Sequence, residues 1–302
     1  MIIIDGGLGR QLEAMGAPFR QPEWSALALI EAPNLVRVAH EAFIDAGASV
    51  IATNSYALVP FHIGQDRFIN DGETLLALSG NLARAAADAA VAPVQVMGSI
   101  PPMFGSYRPH SFDPIAGIKM MKLFCRALLP YVDIFAAETY SSIAEVRCFM
   151  DVFGATEKPI WLSVSLEDNR PVVGNPVLRS GERLLDLLSQ IGLADGIATP
   201  DALLFNCSQP EVMEDAVRAA ATQFESWAKK PLIGVYANAF PLADASYGGA
   251  NADLHECRVD ITPDVYADFA EKWVAAGAEI IGGCCGISPD HIRALKARVA
   301  PV

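Results

Sequence analysis

The chain has 302 residues, 52% hydrophobic and 19% charged, a balance that excludes a disordered protein and calls for a large buried core. Thirty-five acids against 22 bases give a formal charge of -13, which repels phosphate backbones and anionic lipid surfaces, and no basic cluster offsets it. Nucleic acid and membrane surfaces are therefore not expected partners, and no run reaches the roughly 18 apolar residues of a membrane helix.

The amino terminus, MIIIDGGLGR, lacks the basic region and long apolar segment of an export signal, so a cytoplasmic protein is expected. In a reducing compartment its six cysteines read as metal ligands or catalysts sooner than as bridges.

In chain order, eight short apolar runs read as strands: 2–5 (IIID), 49–53 (SVIAT), 94–99 (VQVMGS), 132–138 (VDIFAAE), 160–166 (IWLSVSL), 202–207 (ALLFNC), 232–238 (LIGVYAN) and 278–283 (AEIIGG). Segments of helical period separate them, among them 33–47, 73–90 and 262–277, with Pro33 and Pro263 in first turns and Gly47 and Gly277 after last turns. Strands apolar on both faces suit a parallel sheet covered by helices. Eight strand-helix units predict a closed (β/α)8 TIM barrel, one α/β domain over residues 1–302, in preference to an open doubly wound sheet. The stretch 239–261 reads as the one long irregular loop and a candidate lid.

In such barrels chemistry sits at the carboxyl ends of the strands. Those ends carry Asp5, Thr53, Asn54, Ser99, Glu138, Ser163, Ser165, Asn206, Cys207, Asn238, Cys284 and Cys285. Polar residues there are partly what any turn supplies. Cys207, Cys284 and Cys285 are harder to dismiss, because strands six and eight lie two positions apart in the ring, so that three sulfurs converge on one mouth. That is a soft-metal site, with zinc the common cytosolic choice.

A bridge between Cys284 and Cys285 must span Cα atoms about 3.8 Å apart, shorter than disulfides adopt. Plain packing of two small apolar thiols is the other reading. Neighbouring side chains on a strand point to opposite faces, so a shared ion requires the backbone to leave the strand; Gly282, Gly283 and Gly286 are expected to permit the unusual dihedrals. Cys125 and Cys148 lie in helical patterns and read as packing.

Three protein ligands leave a tetrahedral zinc one open position, the mark of a catalytic site, unless His255 or Cys257 fills it and makes the metal structural. Three thiolates make zinc a poor polariser of carbonyls but a good holder of one further thiol, deprotonated near neutral pH. Alkyl transfer to sulfur follows. A lysine Schiff-base enzyme does not fit, because Lys158, Lys229 and Lys230 precede strands while Lys119, Lys122, Lys272 and Lys296 lie in helical patterns. The five histidines show no metal-ligand spacing. A non-enzymatic zinc-binding or thiol-sensing barrel remains the alternative class.

DGGLG (5–9), PNLVRVAHEAFIDAGASVIATNSY (33–56), GSIPP (98–102), AAET (136–139), NCSQP (206–210) and GGCCGISPDHI (282–292) together resemble the homocysteine S-methyltransferase family, over nearly the whole chain. The resemblance implies a zinc-dependent barrel with Cys207, Cys284 and Cys285 as ligands, homocysteine bound through sulfur and converted to methionine, and the amino acid end held by Asp5, Gly6, Gly7 and Glu138. Carboxylates pair with an α-ammonium and exposed amides with a carboxylate; the alternative for Glu138 is a cap of the next helix.

Asn54 and Asn206 are further substrate-binding candidates. A methyl donor that is a sulfonium or quaternary ammonium favours aromatic faces, and Trp24, Tyr56, Phe61, Phe104, Tyr107 and Tyr140 lie near the mouth. No glycine-rich dinucleotide-type fingerprint and no spare module are present, which favours a small donor such as S-methylmethionine, with betaine, S-adenosylmethionine and a corrinoid partner as alternatives. Arg10, Tyr140 and the YANAFP segment (236–241) depart from the family pattern around the mouth, where the donor would sit.

Overall fold

The structure, a computed structural model, describes residues 1–193, 196–242 and 256–300. Its eight strands are β1 (Ile2–Ile3), β2 (Val50–Ala52), β3 (Gln95–Ile100), β4 (Ile134–Tyr140), β5 (Ile160–Val164), β6 (Ala202–Asn206), β7 (Leu232–Tyr236) and β8 (Ile280–Ile281). All pair in parallel, each with its sequence neighbours, and β1 also pairs with β8. A bridge between Ile4 and Val50, with the Asp5 amide donating to the Val50 carbonyl at 3.0 Å, joins β1 to β2 and closes the ring. The fold is the expected (β/α)8 barrel.

Period-two alternation builds two cores. Inside the ring Ile4, Val50, Met97, Ile134, Ala136, Trp161, Leu204, Tyr236 and Ile280 pack together. Their neighbours, such as Phe135, Leu162, Leu203, Val235 and Ile281, face outward into the layer under the helices. Because both faces are buried, the strands read as unbroken apolar runs.

Helix ends follow local chemistry. Pro33, Pro114, Pro263 and Pro289 occupy first turns, and Asp113 accepts from the amides of Ile115 (2.9 Å) and Ala116 (3.2 Å). The helices Pro33–Asp45 and Pro263–Ala276 match their expected spans, whereas Gln65–Asp88 starts eight residues before the 73–90 run. The connection after β5, residues 165–183, is a second long irregular segment, tied down by bridges between Leu166 and Leu178 and between Val177 and Arg183. Most of the expected lid, 243–255, lies outside the described residues, and His255 with it. No described helix is long and apolar enough to cross a membrane.

His40, on helix Pro33–Asp45, is fully buried with neither ring nitrogen hydrogen-bonded, and burial lowers its pKa to about 4. The unfolded chain takes up this proton near 6.5 and the folded chain only near 4, so the stability tied to neutral His40 is complete above 6.5 and is lost as pH falls towards 4. Urea denaturation should show unfolding free energy dropping by on the order of 3 kcal/mol across that window from this group. His40→Leu should flatten the profile there; parallel profiles for the two proteins would contradict the assignment.

Candidate active site

A cavity opens at the carboxyl ends of the strands, and Asp5, Asn54, Glu138, Cys207, Cys284 and Cys285 all line it. What brings its two ends together is backbone packing between residues 5–7 and residues 282–287. The Gly283 amide donates to the Asp5 carbonyl (2.9 Å) and the Gly7 amide to the Ile287 carbonyl (2.8 Å). A Cβ on Gly6 would stand 2.3 Å from the Ile287 carbonyl oxygen, on Gly7 2.7 Å from the Cys284 oxygen, and on Gly283 2.1 Å from Ile287 Cγ2. Only glycine permits this approach. The expectation that Gly282, Gly283 and Gly286 all supply unusual dihedrals therefore holds for Gly286 alone, at φ +84°; the other two supply room.

The three cysteines meet as expected. Their sulfurs all lie within 4.8 Å of one another, and those of Cys284 and Cys285 are 4.0 Å apart. Cys207 and Cys284 are joined as a disulfide with sulfurs 2.21 Å apart, so the expectation of free thiols at all three positions is met at Cys285 only. Cys207, just past β6, has φ +50°, an unusual value for a residue with a Cβ. Burial pushes the Cys285 thiol up to about 12, with Cys257 adding to the shift and Arg10 opposing it. Three soft donors this close form a candidate metal centre, and Cys125 and Cys148 take no part in it. Cys257 is near enough that its sulfur lies 2.9 Å from where a Gly286 Cβ would be, but it stands outside the trio.

Two carboxylates share the cavity. Asp5 is buried and accepts from the Ala52 amide at 2.9 Å; desolvation raises its pKa well above the usual carboxylate value, the Glu138 charge adds to this, and the Ala52 bond opposes it. Glu138 is raised chiefly by desolvation, against the bonds from Ser99 and Tyr236. It does not cap the next helix. That helix, Ile143–Phe153, is capped by Ser142, which accepts from the Glu145 amide at 3.3 Å.

Asn206 lines the cavity but directs both ends of its amide at Thr139, accepting from its N–H and donating to its Oγ1, each at 3.0 Å. Thr139 has φ +63° and follows Glu138, so Asn206 holds the turn that presents the carboxylate. Asn54 donates to the Ser25 carbonyl at 3.1 Å and in this way ties the end of β2 to helix Ser25–Glu31.

Of the aromatic candidates, Trp24, Tyr56 and Tyr107 line the cavity. Phe61 and Phe104 instead line a separate apolar groove between the helices Gln65–Asp88 and Pro114–Leu128. Tyr140 must be corrected. It is fully buried in the outer layer, its ring edge-on to Phe149 at 5.7 Å, because a bulge between Ala137 and Tyr140 reverses the alternation along β4. Sequence reasoning missed Tyr236, whose inward place follows from period two in β7 and whose hydroxyl pairs with Ser163 Oγ at 2.6 Å.

The family model described as Homocysteine S-methyltransferase matches residues 2–299. The chain belongs to the homocysteine S-methyltransferase family. It is 30% identical to homocysteine S-methyltransferase 1 of Zea mays over 97% of this chain and 93% of that protein, and 29% identical to the homocysteine S-methyltransferase of Escherichia coli strain K12 over 99% and 95%. The metallated form of the homocysteine methyltransferase MmuM from Escherichia coli superposes with a TM-score of 0.75 at 26% identity, covering 99% of this chain and 96% of that one. This family of methyltransferases acts on small molecules.

Gly7→Ala would drive a methyl group into the Cys284 carbonyl. It should destabilise the fold by about 1–3 kcal/mol, as overpacking does, and displace the cysteine turn. Thermal unfolding together with zinc titration of the variant checks both effects. Wild-type metal affinity in a stable Gly7→Ala protein would show that the close approach does not set the turn.

Proposed function

We propose that this chain transfers a methyl group from a small activated donor, with an S-methylmethionine-like sulfonium favoured, to the sulfur of homocysteine, giving methionine. Residues 1–302 serve as one barrel domain in the cytoplasm. The observation that carries this reading is the meeting of three cysteine sulfurs, within 4.8 Å of one another, in the same cavity as two desolvated carboxylates.

The donor set fits zinc: once reduced, Cys207, Cys284 and Cys285 would hold it through three soft ligands. Bound there, zinc supplies a cation that keeps a substrate thiol deprotonated at neutral pH. The chain's own residues do the rest. Glu138 and Asp5 take the α-ammonium, an exchange that relieves the cost of two buried charges facing each other. The Gly7 amide is committed to Ile287, which leaves the backbone at Gly6 to meet the carboxylate. Trp24 and Tyr56 supply aromatic surface of the kind a cationic donor favours. Ionised carboxylates are needed to bind the ammonium. Their raised pKa values therefore place the acid limb of kcat/KM for homocysteine above the ordinary carboxylate range.

The deciding experiment is a donor panel on reduced, zinc-loaded protein with homocysteine, scored by methionine formed. S-methylmethionine should be the best substrate. Turnover only with betaine, S-adenosylmethionine or a methylated corrinoid would reassign the donor, and silence with every donor would remove the reading. Serine in place of any one of Cys207, Cys284 or Cys285 should abolish turnover and sharply weaken zinc retention, measured by chelator competition. Glu138→Gln should raise KM for homocysteine by roughly tenfold or more, the scale of a lost charge-assisted bond, and leave zinc content unchanged. An unaltered KM would take Glu138 out of the ammonium site.

A further inference from the structure

The irregular segment 165–183 carries a buried ion pair that the reading above does not use. Arg179 and Asp168 have side chains only 11% and 5% exposed, with Nη2 and Oδ2 2.8 Å apart. The guanidinium also donates from Nε to Ser165 Oγ (2.8 Å) and from Nη2 to the backbone carbonyl of Cys207 (3.1 Å), and it lies 4.1 Å above the Tyr107 ring. The Tyr107 hydroxyl reaches the same carbonyl at 3.0 Å, and Ser165 Oγ approaches it at 3.4 Å. Asp168 Oδ2 in turn accepts from the amide of Gln209, two residues past the cysteine. The Cys207 peptide is thus gripped on its carbonyl side by an arginine, a tyrosine and a serine.

That grip meets a need. Cys207 has φ +50°, a conformation that a side-chain-bearing residue holds only where its surroundings over-determine it. A carbonyl has two lone pairs, and the two shorter donors, from Tyr107 and Arg179, fill both and so fix the orientation of the peptide plane. With the plane fixed, the sulfur faces Cys284, to which it is joined in this structure, and Cys285. We infer that Arg179, held by Asp168 and stacked on Tyr107, is a positioning residue that locks Cys207 in its left-handed turn and so completes the three-sulfur site. Lysine does not substitute, because the role needs a planar fork donating in several directions while stacking on a ring.

The inference rests on the metal reading only for its consequence; its geometric content stands alone. The test compares wild type, Arg179→Met, Arg179→Lys and Tyr107→Phe as reduced full-length proteins. Zinc affinity is read by chelator competition, thermal unfolding is followed without metal, and a crystal structure is solved for whichever arginine variant folds. Both arginine variants should bind zinc roughly 10–100-fold more weakly than wild type, the usual effect of removing a group that orients a ligand. Tyr107→Phe, which keeps the stack but loses one bond, should fall between. Cys207 should leave the left-handed region in the arginine variant. A purely structural ion pair predicts a lower unfolding temperature with zinc affinity within twofold of wild type, and that result overturns the inference. So does an arginine variant in which Cys207 keeps its left-handed φ. A wild-type protein that binds no zinc would refute the metal reading, and the crystal structure would still decide the clamp.

Discussion

Two backbones must leave the strand conformation at the right residues for this site to exist. Cys207 and Cys284 are 77 residues apart and end strands that are not adjacent, since β7 lies between them. Extended β6 and β8 would splay their side chains alternately, and no pair of neighbouring cysteines on β8 could face one point. The chain solves this with a left-handed residue at Cys207 and a tight turn at Cys285 and Gly286, pressed against the Asp5–Gly7 backbone. Barrel closure is what makes the second device available, because β1 pairs with β8 and carries Asp5 to the turn. The first carboxylate and the sulfur cluster are therefore placed by one contact.

The strands were legible because a closed parallel ring buries both faces and leaves apolar runs with nothing to confuse them. Helix Gln65–Asp88 runs through Asn70, Asp71 and Gly72, residue types that favour turns and so weaken the helical pattern ahead of position 73. Gly72 is in fact buried in the helix with Phe68 packed against it, 3.3 Å from where its Cβ would lie. The cysteines were legible because three rare soft ligands on strand ends two positions apart in the ring have few other uses. Tyr140 was misread because a single bulge, invisible in residue type, reverses which face a side chain takes. Arg179 and Asp168 gave no signal at all, lying in a segment without period, where only folded coordinates show what touches what.

Desolvation works in one direction across the cavity. It raises Asp5, Glu138 and Cys285 together, so each holds its proton more tightly than in water and each is relieved by an arriving cation. The proposed substrates bring such charges: an ammonium for the carboxylates and, with the metal, a divalent ion for the sulfurs. The chain's net charge of -13 supports this at long range, favouring cations at the mouth over phosphorylated or polyanionic competitors.

The same logic narrows the donor side. Three of the candidate aromatic rings, Trp24, Tyr56 and Tyr107, line the cavity, but one face of Tyr107 is already taken by the Arg179 guanidinium at 4.1 Å. A second cation brought to that ring would meet the repulsion of the first, so Tyr107 serves the cysteine side of the cavity. Arg10, 5.4 Å from the Phe240 ring and 5.9 Å from the Phe19 ring, is ion-paired with Glu13, which offsets its charge at the rim. Trp24 and Tyr56 are the other two candidate rings in the cavity, with the Tyr56 hydroxyl held 2.6 Å from Ser106. A cationic methyl group proposed to enter this cavity is therefore better placed over Trp24 and Tyr56 than over Tyr107, whose face the guanidinium already occupies.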